Sequence, residues 1–277
     1  MAQTINTNLN SINAQRNVAG SSMAMNVAMQ RLSSGLRVNG AKDDAAGLAI
    51  SERMNAQVRG MGVAIRNAND ATSLAQTAEG ATGKIGDALQ RMRELAVQSA
   101  NGSNNAGDRD NMQTEFAELQ AEVSRLVDGT KFNGQALLDG SVASFTFQVG
   151  ASTSAQDTIT VTSSDLSTTD TAVAALDISG ATAAGATAAI DALDTAIDDV
   201  TTARASFGAT QNRFESVIAN LQVASENLTA ARSRIVDADF AVETAAMSRA
   251  SILQQAGTAM VAQANQQPQQ VLQLLRN

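Results

Sequence analysis

Leu193, Val200, Phe207, Phe214, Leu221, Leu228 and Ile235 stand seven residues apart without a break. A heptad spacing of large apolar residues puts one seam along a helix and demands a partner helix to cover it. At about 1.5 Å per residue, the helix from about Gly185 to Ile235 is on the order of 75 Å long. The companion positions Ile190, Ile197, Arg204, Gln211, Ile218, Ser225 and Arg232 are mixed, so one row of the seam is continuous and its neighbour is partly polar. A partner of matching length lies upstream. Asp43 or Asp44 can cap a helix that runs to about Ser99, with Ile50, Met54, Met61, Ile65, Leu74, Ile85, Leu89, Met92 and Leu95 among its apolar positions. The two helices should pack as an antiparallel coiled coil. A shorter helix follows a loop at Asn101 to Gly107; Met112, Phe116, Leu119, Val123 and Leu126 give it a heptad face and a place as third strand.

Between about Lys131 and Ala184 the pattern changes. Asn133-Gly134 and Asp139-Gly140 are turn pairs. Phe145, Phe147 and Val149, then Ile159 and Val161, alternate with polar residues and predict a β-hairpin. Of the 44 residues from Ser141 to Ala184, 17 are Ser or Thr, which predicts an exposed stretch, loosely structured at its far end. The two ends of the chain are helical again. Ile5, Leu9 and Ile12, then Met25, Met29, Leu32 and Leu36, keep helical spacing, as do Phe240, Met247, Leu253, Met260 and Val261 before the tail Val271, Leu272, Leu274 and Leu275. Similar length and weak charge predict that these ends pair. Each carries more apolar residues than one partner can bury, so further chains should cover the rest. The fold class is therefore mainly α: a long antiparallel coiled-coil bundle with paired terminal helices and a small β-hairpin region. Residues 1–43 and 236–277 form one domain and 44–235 a second, rod-like one.

Composition narrows the chemistry. The chain has 277 residues, no Cys and no His, which removes disulfides, thiolate chemistry and the commonest general base and metal ligand. A net charge of −8 lacks the basic face that a general nucleic-acid partner requires. No apolar run is long enough to span a membrane, and Met1 to Gly20 lacks the basic start and apolar stretch of a cleaved signal. Ala78 to Ile85 has the outline of a phosphate-binding loop, but Ala78 replaces the first glycine and Ile85 the metal-binding hydroxyl. Asp43-Asp44 and Asp237 with Asp239 read as helix caps before they read as cation sites. Leu89, Met92 and Leu95 read as core, and Arg91, Arg93 and Glu94 as a solvated face. No catalytic, metal or cofactor site emerges.

Several segments carry a family resemblance. Leu32 to Gly35, Asn39 to Ile50, Leu89 to Gln98, Phe132 to Gly134 and Phe147 to Ala151 resemble the N-terminal part of bacterial flagellins, the filament subunits. Met247 to Ala250, Ile252 to Gly257, Ala262 to Gln266 and the tail from Val271 to Leu275 resemble the C-terminal part. The resemblance implies a short member lacking large outer domains: a secreted, extracellular, non-enzymatic subunit that polymerises with itself into the flagellar filament for swimming. It implies that the paired termini, with Ile5, Leu9, Ile12, Val271, Leu272 and Leu275, form an inner domain lining the filament channel. Partners implied are an export chaperone of the flagellar type III pathway, the hook-associated and cap proteins, and the vertebrate Toll-like receptor for flagellin. Matching that receptor's motif puts contact positions at Arg91, Leu95 and Glu115, on a face expected to lie between subunits in the polymer. A hook–filament junction protein, or a flagellin-like surface receptor or adhesin, is the alternative reading.

Overall fold

The computed structural model describes residues 7–274, with side chains for 7–266. Six helices occupy most of it: α1 (Leu9–Ser34), α2 (Ala45–Ser99), α3 (Ala106–Gly129), α4 (Ser167–Ala174), α5 (Ala184–Val236) and α6 (Phe240–Leu274). Two antiparallel strand pairs lie between α3 and α4: β1 (Lys131–Phe132) with β2 (Gln135–Ala136), and β3 (Ser144–Gln148) with β4 (Thr158–Thr162). The described residues form two compact units. One comprises those up to Ala56 together with those from Asn227 onward, and the other runs from Gln57 to Glu226.

Short side chains set the helix boundaries. The Asp44 carboxylate accepts the Gly47 amide at 2.8 Å and starts α2. Asp43 accepts the amides of Asn39 and Gly40 at 3.0 and 3.2 Å, closing the preceding turn. Asn105 and Asp108 form a reciprocal capping box, so α3 begins one residue before the end of the predicted loop. The Asp239 carboxylate accepts the amides of Ala241 and Val242 and starts α6, while Asp237 accepts the Ser233 hydroxyl at 2.6 Å. Both acidic pairs are thus spent on backbone and hydroxyl groups. The phosphate-loop lookalike is helix interior, with Thr82 buried and bonded to the Ala78 and Glu79 carbonyls at 3.0 Å.

In the larger unit α2 and α5 run antiparallel. Arg93 pairs with Asp194 and, four turns away, Gln211 donates to Glu79 at 2.8 Å. Leu193, Val200, Phe207 and Phe214 are buried along this contact. The other row differs from expectation. The fully covered companions are Ala189, Ala196 and Ala203, while Ile190 and Ile197 are half-buried and Arg204 is exposed. On α2 the matching stripe is Ala64, Ala68, Ala71, Ala75, Ala78, Thr82, Ile85, Leu89, Met92, Ala96 and Ser99, alternating four and three apart and buried throughout. Alanine thus alternates with larger buried residues in both rows, Ile85, Leu89 and Met92 on α2 and Leu193, Val200, Phe207 and Phe214 on α5. The seam is also buried unevenly: Leu221, Leu228 and Ile235 are only half-buried. Packing explains Leu221. The β3–β4 hairpin covers Ala68, Ala71, Phe214, Val217 and Ile218, and Leu221 lies about a turn beyond. In that hairpin Phe145 faces Val161 and Phe147 faces Ile159, and the Phe147 ring meets Phe214 edge-on with centroids 5.8 Å apart. In the tight hairpin β1–β2, Asn133 (φ 50°) and Gly134 (φ 81°) take the positive angles of a type I′ turn.

The far end of the Ser/Thr-rich stretch is ordered, contrary to expectation. Leu166, Val173 and Ile178 are buried in the core shared by α2, α3 and α5. Side chains from α2 and α3 satisfy its backbone. Gln120 donates to the Val173 and Leu176 carbonyls at 2.7 and 2.9 Å, Gln113 accepts the Ile178 amide at 2.8 Å, and Ser99 donates to the Ile178 carbonyl at 2.6 Å. Buried Arg109 donates to the Ser99 carbonyl at 2.9 Å, placing its charge at the negative end of α2. A hydroxyl count misses three apolar anchors at irregular spacing.

Phe214→Ala should lower the unfolding free energy of the larger unit by about 3–5 kcal/mol, whereas Leu221→Ala should cost less than about 2 kcal/mol. Chemical denaturation of the monomer checks both; equal losses would contradict the graded burial of the seam.

Candidate assembly and recognition surfaces

The smaller unit is held by α1 and α6, paired antiparallel. Asn8 donates to the Ala264 carbonyl at 2.7 Å and Ser11 to Asn265 at 2.7 Å at one end of the pair. Arg31 meets Glu243 at 2.9 Å towards the other. Between them the most deeply buried apolar residues are small. Ala28, Ala250 and Ala264 are buried, and a Cβ on Gly257 would come within 2.5 Å of the Val18 side chain, while Val18, Met25, Leu32, Met247 and Val261 are half-buried. Many of the larger side chains lie outside. Leu9, Ile12, Met23, Val27 and Met29 on α1, and Phe240, Val242, Ile252, Leu253 and Met260 on α6, are all exposed, Leu9 at 68% and Ile252 at 65%. In the larger unit only Val63, Val97 and Val223 are exposed large apolar residues. Neither of the two apolar core clusters includes a residue of α1 or α6. Ile5 and Leu275 lie outside the described residues. Val271 and Leu272 fall in the helical span of α6, where side chains are not described.

Glu243 is 8% exposed and is the acid that pairs with Arg31. A partly buried ion pair with terminal amide contacts favours one register of the two helices. The junction from α5 to α6 is tied down as well: the Arg37 amide donates to the Val236 carbonyl at 2.6 Å and its guanidinium to the Ile235 carbonyl at 2.7 Å.

On the larger unit, Arg91 lies on the exposed face of α2 and bridges Glu94 at 2.8 Å and Glu115 of α3 at 2.9 Å. The hydrogen bonds that it donates to Glu94 and then Glu115 push the guanidinium pKa above its ordinary value. Arg93 reaches Asp194 of α5, whose carboxyl is held below the usual range by that hydrogen bond. The three predicted contact positions are not equivalent. Arg91 and Glu115 are joined at the surface. Leu95 is 2% exposed and belongs to the core beneath them, so the residue's place is support rather than direct presentation. Val97, 49% exposed, is the apolar residue that the face does present, beside a shallow depression lined by Gln90, Arg93, Glu94 and Gln98. Asp194 was missed by sequence reasoning; its only signal is a place next to the seam residue Leu193.

Comparison with known proteins decides the family. Residues 5–143 match the family model described as bacterial flagellin N-terminal helical region, and 190–275 the one described as bacterial flagellin C-terminal helical region. The chain is 52% identical over 272 residues to a flagellin of Halalkalibacterium halodurans, covering 98% of this chain and 99% of that one. The chain belongs to the flagellin family. It is 41% identical to a flagellin of Bacillus subtilis, over 98% of this chain and 99% of that one. The crystal structure of Bacillus cereus flagellin superposes with a TM-score of 0.50 at 33% identity, covering 60% of this chain and 94% of that one. Flagellins are structural rather than catalytic proteins, and this chain is a subunit that assembles with itself into the extracellular flagellar filament. No helix among the described residues is long and apolar enough to cross a membrane.

Glu243→Ala should loosen the α1–α6 pair by about 1–3 kcal/mol, because it leaves Arg31 partly buried without its partner. Amide hydrogen exchange in α1 and α6 should quicken while α3 is unaffected; unchanged exchange would show that the pair does not hold the register.

Proposed function

We propose that the α1–α6 pair is the polymerising part of this flagellin. Residues 1–43 with 236–277 then form the inner domain that walls the filament channel, and 44–235 form the outer rod. One observation carries this reading: ten large apolar side chains of α1 and α6 are exposed among the described residues, whereas those of the larger unit are largely packed inside it. An area of this kind on several turns of two helices is stable in water only while unpolymerised subunits are dilute or chaperoned. The same faces are what an export chaperone would shield, and what hook-associated and cap proteins would meet at the two ends of the polymer.

Ile252→Glu tests this. The side chain is 65% exposed, so the monomer should melt as the parent does. Seeded with short filament fragments, it should elongate at least about a hundredfold more slowly, because burying an unpaired carboxylate costs several kcal/mol. Elongation at the parent rate would remove α6 from the subunit contacts. Electron cryomicroscopy of the parent polymer should show a channel walled by the terminal helices.

A second surface is proposed at Arg91. The exposed Arg91–Glu115 pair with Val97 supports a contact used between subunits in the filament and by the vertebrate Toll-like receptor on free monomers. Leu95 acts from beneath by holding α2 against α3. Arg91→Ala should weaken both polymer stability and receptor signalling while leaving the fold intact. If neither changes, this surface is an ordinary solvated face.

A further inference from the structure

The methionines of this chain differ sharply in exposure. Met92 is 0% exposed, in the core of the larger unit. Met25, Met54, Met61, Met112 and Met247 are half-buried. Met23, Met29 and Met260 are 64%, 52% and 61% exposed, and all three sit on α1 or α6. Met23 lies one helical turn from exposed Val27, and Met260 two turns from exposed Leu253, so these two sulfurs form part of the uncovered apolar stripes, while Met29 is exposed elsewhere on α1.

We propose that Met23, Met29 and Met260 are oxidation sites that remove free subunits from assembly, and that incorporation into the filament protects them. The inference rests on the terminal pair being the polymerising part. The oxidant class is a hydroperoxide. A thioether lone pair attacks the terminal oxygen of hydrogen peroxide, the O–O bond breaks, and the sulfur keeps that oxygen as a sulfoxide. The other oxygen leaves as hydroxide and takes up the proton released from the transferred one, giving water. Sulfur loses two electrons and the peroxide gains them. A thioether has no proton to lose, so exposure rather than a pKa sets which methionine reacts. The sulfoxide is polar and chiral, and a contact built for a flexible apolar side chain cannot bury it without finding it a donor. Leucine or isoleucine at these places would give the same packing without the sensitivity.

The test treats the free full-length subunit with limiting hydrogen peroxide and maps each methionine by peptide mass spectrometry. Met23, Met29 and Met260 should convert at least about tenfold faster than Met92. In assembled filaments the three should slow towards the Met92 rate. Oxidised subunits should elongate seeds about tenfold more slowly or worse, and methionine sulfoxide reductases of both epimer specificities should restore the rate. The triple variant Met23→Leu, Met29→Leu, Met260→Leu should elongate normally and stay normal after peroxide. The proposal is overturned if the exposed and buried methionines react alike, if oxidised subunits elongate at the parent rate, or if the triple variant is inactivated as the parent is. Should that variant fold poorly, reductase rescue of the oxidised parent decides alone. Failure of unoxidised subunits to elongate at all would instead count against the terminal pair as the polymerising part.

Discussion

Alanine at the contact between α2 and α5 is the constraint on which the larger unit depends. Ala64, Ala68, Ala71, Ala75 and Ala78 face a helix whose own inner row includes Ala189, Ala196 and Ala203, and all are buried. Such a contact gains little from the transfer of any one side chain out of water. It gains from dispersion summed over a long stripe. Large residues then concentrate where a third element arrives: Leu89 and Met92 under α3, Phe214 under the β3–β4 hairpin. The strap from Leu166 to Gly180 closes the region where α2 ends, and it is held there by Gln113, Gln120, Ser99 and Arg109 together with the burial of Leu166, Val173 and Ile178.

The smaller unit has the opposite outcome. The α1–α6 contact buries Ala28, Ala250 and Ala264 and half-buries Val18, Met25, Leu32, Met247 and Val261, but neither apolar core cluster includes a residue of the pair. The large apolar residues are left in water. On the proposed reading, what would be a defect in a monomeric protein is the surface through which this one polymerises. The Arg31–Glu243 pair favours one register.

Much of this was readable in advance. Asp44 and Asp239 mark helix starts because a short acceptor before a helical run has one low-energy use. Phe145, Phe147, Ile159 and Val161 mark a hairpin because alternation has one meaning for a strand. The partner row of the seam was not readable. Ala189 and Ile190 are both apolar, and hydrophobicity alone favours the isoleucine, although the packing puts the alanine inside. Nor was the ordering of the 166–180 strap, whose amide and carbonyl partners come from residues some 50 to 80 positions away.

The sequence by itself determined the long helices, the caps at Asp44 and Asp239, the β3–β4 hairpin and the family, because these rest on local spacing and on motifs that lie within a few residues of one another. Only the tertiary structure decided which side of each helix is covered. It put Leu95 in the core beneath Arg91 and Glu115, and it left Ile252, Met23 and Met260 outside. Burial is a property of what packs against a residue, and that partner is supplied by distant parts of the chain.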